Sequence, residues 1–222
     1  MTKQCVLIQN IHLFLISAVQ GTSATCKRII DLGFILDSSG SLRDEYHKEK
    51  EFMNLMADAF DINSNGSQAS VITFSYNAEH SIKLGQHSDV ASFQNDVNAI
   101  PLMGYTTRID KALKLARDDM FSAENGGRKD VPKMLILLTD GSQTQDADAE
   151  DPALFADEIR AKGISLLVVG IGKGVNMAEL SRMAGGEGNV YTADSFDQLI
   201  REDFVEKLVA GSCSKIEKGI PF

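Results

Sequence analysis

The sequence has no excess of positive charge and, beyond its N-terminus, no long apolar run. Its 22 Lys and Arg residues are outnumbered by 31 Asp and Glu residues, which gives a formal net charge of −9. The basic clusters Lys27-Arg28 and Arg128-Lys129 are too small to neutralise a nucleic-acid backbone, so nucleic-acid binding is not expected. No run after residue 21 reaches the roughly 18 to 20 apolar residues that span a bilayer, so no membrane span is predicted there.

The N-terminus carries the pattern of a secretion signal. Lys3 supplies a positive charge, mostly apolar residues fill positions 5–8 and 11–19, and small residues follow near residue 21. This arrangement is typical of a signal peptide, so we predict that residues 1–21 are removed and that the mature protein is secreted. A buried N-terminal strand or helix of the domain is the alternative interpretation.

Cysteine is scarce, with three residues in the chain. If Cys5 leaves with the signal peptide, Cys26 and Cys213 remain, one before the first predicted strand and one after the last predicted helix. In a secreted protein such a pair forms a bridge more often than two free thiols, so we predict a Cys26–Cys213 disulfide. The pair brackets one predicted domain over residues 27–212, followed by a short tail over 213–222.

Apolar runs alternate with helical patterns along the rest of the chain. Strands are predicted over residues 29–36, 69–75, 134–139, 165–170 and 190–192, with a weaker edge strand over 80–84. Helices are predicted over residues 44–60, 89–99, 109–121, 152–162, 177–184 and 196–208. Strands separated by helices form βαβ units. We therefore predict an α/β fold with a doubly wound, Rossmann-like sheet of six strands, mostly parallel, with helices on both faces and one short antiparallel edge strand.

Three predicted loops place oxygen-bearing side chains at strand ends or helix starts. Asp37, Ser39 and Ser41 follow the first strand, residues 104–107 precede the third helix, and residues 138–141 end the most apolar strand. Each loop taken alone could be a helix cap or a plain turn. In a doubly wound sheet, however, ligands bind beyond the carboxyl ends of the strands, where the loops converge. Carboxylate and hydroxyl oxygens suit Mg²⁺, Mn²⁺ or Ca²⁺ rather than zinc.

These loops resemble those of the von Willebrand factor type A (vWA) domain, a module of integrins, matrilins and many collagens. The resemblance covers roughly residues 31–210. The metal-ion-dependent adhesion site (MIDAS) of that family combines an Asp-x-Ser-x-Ser loop, a threonine from a second loop and an aspartate from a third. Asp37, Ser39 and Ser41 match the first loop, and Asp140 matches the third. The resemblance thus implies a Mg²⁺ site, or one for Mn²⁺ or Ca²⁺.

The threonine ligand is assigned by the same resemblance. Lys111-Ala112-Leu113 resembles the start of the helix that follows the second loop in this family, and counting back from it reaches Thr107. Thr106, in the neighbouring register, is the alternative. Ile109 occupies a position where many members carry a second threonine, which is not a ligand.

The resemblance implies adhesion to another protein. Two carboxylates and three hydroxyls leave positions on a divalent cation to water, and an Asp or Glu of a partner can replace that water. We therefore predict a secreted, cation-dependent protein-binding module of the extracellular matrix, with collagen, another matrix protein or a second copy of the chain as candidate partners. The alternative is a structural matrix component whose metal only stabilises the fold. The predicted secretion signal and cysteine pair argue against an intracellular scaffold.

An enzyme is the alternative from a different functional class. A metal-dependent hydrolase or phosphotransferase with Asp37 as phosphoryl acceptor would want a second carboxylate two residues on, where Ser39 stands. The histidines, at positions 12, 47, 80 and 87, lie outside the three loops, and the sequence shows no Ser-His-Asp or Cys-His arrangement. We therefore predict no enzymatic activity.

One N-glycosylation sequon is present, Asn65-Gly66-Ser67. It lies in a polar stretch that is typical of a turn. In a secreted protein this makes Asn65 a candidate for glycosylation, although such tripeptides are common by chance.

Overall fold

Six strands form a single sheet in the computed structural model, which describes residues 24–217. They are β1 (Asp31–Asp37), β2 (Gln68–Phe74), β3 (Ala78–Ile82), β4 (Lys133–Thr139), β5 (Ser165–Ile171) and β6 (Val190–Ala193). The predicted signal peptide lies outside the described residues, so its removal stays a prediction.

The sheet has the order β3-β2-β1-β4-β5-β6. β3 pairs antiparallel with β2, while the other four pairings are parallel. This confirms the predicted six-stranded, mostly parallel sheet with an antiparallel edge strand. After β1 the chain adds β2 and β3 on one side of β1. It then crosses to the other side, where it adds β4, β5 and β6. The connections that leave β1 and β4 therefore run in opposite directions. That divergence opens a crevice at the carboxyl ends of these two strands.

Helices cover both faces of the sheet, as predicted. They are α1 (Tyr46–Ala59), α2 (Val90–Ala99), α3 (Ile109–Leu115), α4 (Pro152–Ala161), α5 (Met177–Ala184), α6 (Phe196–Leu199) and α7 (Glu202–Glu217). Successive side chains of β1 point to opposite faces of the sheet. Phe34 and Leu36 pack in a core with α1, α2 and α7. Ile35 packs in a second core with α3, α4 and α5. Within residues 24–217, no helix is both long and apolar enough to cross a membrane.

The end of the chain differs from the predicted single helix over 196–208. α6 stops at Leu199, and α7 begins at Glu202 and continues to Glu217. At the start of α7, the carbonyl of Arg201 accepts hydrogen bonds from the backbone N–H groups of Phe204 and Val205, each at 3.1 Å. Apolar residues keep a helical spacing across the break, so the pattern did not reveal it. The prediction that the last helix ends before Cys213 was wrong.

Several other element boundaries differ from prediction, most of them by one or two residues, and two of the differences have a local cause. The edge strand begins at Ala78 rather than at residue 80, because the backbone N–H of Ser75 donates to the carbonyl of Asn77 at 2.9 Å and closes the turn early. The third helix starts at Ile109 as predicted, but its α-helical part ends at Leu115 and a π-helical turn follows. The apolar face continues through that turn, so the pattern predicted one continuous helix.

The predicted disulfide is present and joins Cys26 to Cys213 across 187 positions of sequence. The backbone N–H of Cys26 also donates to the carbonyl oxygen of Ala59 at 2.9 Å, at the end of α1. The bridge therefore ties the start of the domain and the end of α1 to the last helix.

The sequon lies on the surface. Asn65 is exposed in the turn between α1 and β2, and its backbone N–H donates to the side-chain oxygen of Asn63 at 2.9 Å. A glycan there would meet solvent rather than the core. Glycosylation of Asn65 stays a prediction.

Replacing both bridge cysteines, Cys26→Ser with Cys213→Ser, should lower the free energy of unfolding. In the chain-entropy model, losing so long a closed loop costs roughly 5 kcal/mol. Urea unfolding of the double variant against the parent protein measures the difference. A midpoint unchanged from that of the oxidised parent would contradict a stabilising bridge.

Candidate metal centre

Asp37 ends β1 at the crevice between β1 and β4, and its side chain is completely buried. Its Oδ1 atom accepts a hydrogen bond from the backbone N–H of Ser39 at 2.9 Å. Its Oδ2 atom accepts one from the hydroxyl of Thr139, the last residue of β4, at 2.8 Å. Asp37 is therefore held in place by its own loop and by the neighbouring strand.

Three further oxygens continue from this position towards the surface. The hydroxyls of Ser39 and Ser41 are 3.2 Å apart, and the hydroxyl of Ser41 donates to Asp140 Oδ1 at 3.2 Å. Ser39 is buried, Asp140 is partly exposed and Ser41 is exposed, so the row runs from the interior to solvent. The structure thus brings together four of the five residues predicted as metal ligands.

The second loop reaches the first through its backbone. The N–H of Gly40 donates to the carbonyl of Tyr105, and the N–H of Gly104 donates to the carbonyl of Ser38, each at 2.8 Å. Gly104 has a φ of +81°, in the left-handed region that favours glycine. A Cβ atom on Gly40 would lie 3.0 Å from the carbonyl oxygen of Gly104, so a larger residue at position 40 would push the two loops slightly apart.

Thr107, the fifth predicted ligand, lies in that second loop and is partly buried. Its main chain pairs with the segment that follows the third loop: Thr107 N–H donates to the hydroxyl of Thr144 at 3.1 Å, and Thr144 N–H donates to the Thr107 carbonyl at 2.8 Å. Among the described residues, no hydrogen bond joins the Thr107 hydroxyl to the oxygens of the first loop or Asp140. Thr106 is exposed, and its carbonyl accepts from the Ser75 hydroxyl at 2.9 Å.

Burial dominates the electrostatics of Asp37. Loss of solvent raises its pKa to about 7, although the hydrogen bonds from Ser39 and Thr139 act in the opposite direction and the nearby Asp140 adds to the increase. A buried carboxylate with a raised pKa is one whose ionised form a nearby positive charge would stabilise. A divalent cation would supply that charge and return the carboxyl to its ionised form.

Glu49 is a second buried acid near this place, and the sequence analysis did not identify it. It lies on α1 with no exposed surface, and neither of its carboxylate oxygens has a hydrogen-bond partner within residues 24–217. Burial, followed by the charges of Asp37 and Asp140, raises its pKa well above the ordinary value. The sequence did carry a signal: Glu49 follows Tyr46 and precedes Phe52 at three-residue spacing, on the apolar face of the helix.

The donor set fits a hard divalent cation. Adjacent oxygens around an octahedral ion with metal–oxygen distances near 2.1 Å lie about 3 Å apart. The spacing of 3.2 Å along Ser39, Ser41 and Asp140 is close to that value. Within the described part of the chain, no three His, Cys, Asp or Glu side chains form a metal-binding group. The predicted site contains only two carboxylates, so its capacity to hold an ion depends on the hydroxyl oxygens.

Comparison with known proteins identifies the family to which this chain belongs. The sequence model of the von Willebrand factor type A domain matches residues 31–207. The chain belongs to this family. The vWA match covers all six strands and extends into α7, and it includes every residue predicted as a metal ligand.

Relatives of this vWA chain include matrix proteins. The human collagen alpha-5(VI) chain is 34% identical over 180 residues, which cover 78% of this chain and 7% of the collagen. Matrilin-3 of Gallus gallus is 34% identical over 164 residues, which cover 72% of this chain and 35% of the matrilin.

A solved structure with the same fold is proximal thread matrix protein 1 from the mussel byssus, with a zinc-occupied MIDAS motif. It has a TM-score of 0.78 and 27% identity, and the match covers 85% of this chain and 49% of that one. The vWA chain therefore spans less than half the length of each of these three proteins.

The metal-free protein should become less stable as the pH rises from 4 to above 7. The raised pKa values of Asp37 and Glu49 mean that the folded state binds more protons than the unfolded chain in this range, so the free energy of unfolding falls with pH. Glu49→Gln should remove part of that fall. Urea unfolding in EDTA at several pH values measures it.

The matched control for this prediction is Glu51→Gln, which changes an exposed acid on the same helix. It should leave the pH dependence of the parent protein unchanged. If Glu49→Gln and Glu51→Gln gave the same pH profile, buried Glu49 would not be the source of the effect.

Proposed function

We propose that this vWA domain is a secreted adhesion module that binds another extracellular protein in a divalent-cation-dependent manner. The observation that carries the proposal is the row of oxygens from buried Asp37 through Ser39 and Ser41 to Asp140, at the carboxyl edge of the sheet. Thr107 is the proposed fifth member. Mg²⁺ is the proposed ion, with Mn²⁺ and Ca²⁺ as the alternatives that the same oxygen donors accept.

The charges around the site support this assignment. Asp37 and Asp140 would supply the negative charge, and the serine and threonine hydroxyls would supply neutral oxygens. A bound cation would therefore keep positive charge and an open coordination position for a carboxylate of the partner. Because Ser41 is exposed and Asp140 is partly exposed, that position would face solvent.

The surroundings also favour a protein partner. Tyr105, in the second loop, is 72% exposed although its N–H donates to the hydroxyl of Ser75 and its carbonyl accepts from Gly40. A large side chain presented on a fixed backbone loses little conformational entropy on binding, and tyrosine is enriched at protein interfaces. Tyr76, 48% exposed, lines one surface pocket together with Tyr105.

We propose an Asp or Glu of an extracellular matrix protein as the group that the site binds. Collagen VI and matrilin relatives support a matrix setting, and collagen is one candidate partner. We propose no catalytic activity for this site, since the histidine residues and the oxygen row lie apart in the sequence and the relatives carry matrix names.

Immobilised protein should capture an extracellular matrix component in Mg²⁺ and release it in EDTA. The reason is that the partner's carboxylate would bind through the ion. Mass spectrometry of the EDTA eluate identifies the component, and binding of that purified component with and without Mg²⁺ repeats the measurement in isolation.

Asp37→Ala is the matched variant, and its unfolding temperature in EDTA serves as a check that it folds. It should capture nothing and should show no thermal stabilisation by Mg²⁺. Capture that persists in EDTA would favour a structural matrix component whose metal only stabilises the fold. A full Mg²⁺ response of Asp37→Ala would overturn the assignment of the site.

A further inference from the structure

Arg108, the residue after Thr107, has a buried side chain whose donors are used within the molecule. Its Nε and Nη2 atoms donate to the two carboxylate oxygens of Asp110, at 2.9 and 2.7 Å. Its Nη1 atom donates to Asp148 Oδ1 at 2.7 Å, and Nη2 donates to the Asp148 carbonyl at 3.0 Å. Asp146 Oδ2 lies 3.4 Å from Nη1. One guanidinium therefore connects the second loop with the segment that follows the third.

Hydrogen bonds of backbone N–H groups also join the same two segments. Thr107 and Thr144 exchange two hydrogen bonds, at 3.1 and 2.8 Å. Asp110 Oδ2 accepts from the N–H of Glu150 at 3.0 Å, and the N–H of Asp110 donates to the side-chain oxygen of Gln143 at 3.1 Å. The position of Thr107 relative to the third loop is thus set by a network that has Arg108 and Asp110 at its centre.

The guanidinium of Arg108 supplies the positive charge that compensates the carboxylates of this network. Arg108 and Asp110 expose only 1% and 2% of their side chains, so neither charge is compensated by water. The planar guanidinium of arginine binds a carboxylate through two parallel hydrogen bonds and so fixes its orientation better than the ammonium group of a lysine would. The segment that Arg108 contacts is acidic, with Asp146, Asp148 and Glu150 at alternate positions, and these carboxylates repel one another without the cation.

We propose that Arg108 is a positioning residue of the metal centre: it holds the Thr107 loop against the loop that follows Asp140 and thereby raises the affinity of the site for a divalent cation. Arg108 would not contact the ion, and it would act through Thr107. The inference rests on the proposed function, since it assigns a role towards the proposed ion.

A double-mutant cycle on Mn²⁺ affinity tests this role. The four proteins are the parent, Thr107→Ala, Arg108→Lys and the double variant, and calorimetric titration with Mn²⁺ gives each Kd. Arg108→Lys keeps the charge but loses the bidentate geometry, and it should raise the Kd about tenfold, as outer-shell changes at metal sites do. Because Arg108 acts through Thr107, the double variant should bind no more weakly than Thr107→Ala alone.

Two further variants keep the test decisive. Asp148→Ala removes one carboxylate partner of the guanidinium, and because the Asp148 side chain is 64% exposed, this variant offers the same weakening where Arg108→Lys fails to fold. Lys114→Met removes a cation of α3 that contacts Glu150 from the surface at 2.8 Å, and it should leave the Kd unchanged. Amide hydrogen exchange of Thr144 in EDTA should be faster in Arg108→Lys and unaltered in Lys114→Met.

The outcomes separate this inference from the proposed function. If the parent protein bound no Mn²⁺, the proposed function and the inference would both fail. If the parent bound Mn²⁺ and Arg108→Lys changed stability but not the Kd, Arg108 would be a structural residue alone. Fully additive effects of Thr107→Ala and Arg108→Lys would likewise overturn the positioning role.

Discussion

The burial of a carboxylate, Asp37, at the divergence between β1 and β4 is the constraint on which the rest of the site depends. A buried acid is costly unless it is hydrogen-bonded or neutralised. Here Ser39 and Thr139 supply hydrogen bonds, yet the pKa is still raised to about 7. Glu49 adds a second buried acid without a hydrogen-bond partner among residues 24–217. The fold thus places two buried acidic groups beneath exposed oxygens, where a bound cation would favour their ionised forms.

Three loops are held around that position by contacts of different kinds. Backbone hydrogen bonds at Gly40 and Gly104 join the first loop to the second. The hydroxyl of Ser41 reaches Asp140 and joins the first loop to the third. The second loop meets the segment that follows the third loop through Thr107 and the buried guanidinium of Arg108. Preorganisation of this sort would lower the cost of gathering ligands around the proposed ion.

Much of this could be predicted from the sequence, because the signals are local. Apolar strands and periodic helices predicted the sheet and its covering helices, and Asp37, Ser39, Ser41 and Asp140 lie at strand ends where the pattern placed them. The break before α7 could not be predicted, since the apolar spacing continues across it. The network of Arg108 could not be predicted either, because its partners lie up to 40 positions away. Glu49 was visible as an acid on an apolar helix face, but its burial depends on tertiary packing.

The most direct test of this account is to locate the ion. Crystals grown with Mn²⁺ and measured at the manganese absorption edge should show one strong anomalous peak within coordination distance of the hydroxyls of Ser39 and Ser41. The same peak should be missing in crystals of the Asp37→Ala variant. A peak at another place, or none between these hydroxyls at saturating Mn²⁺, would contradict the account.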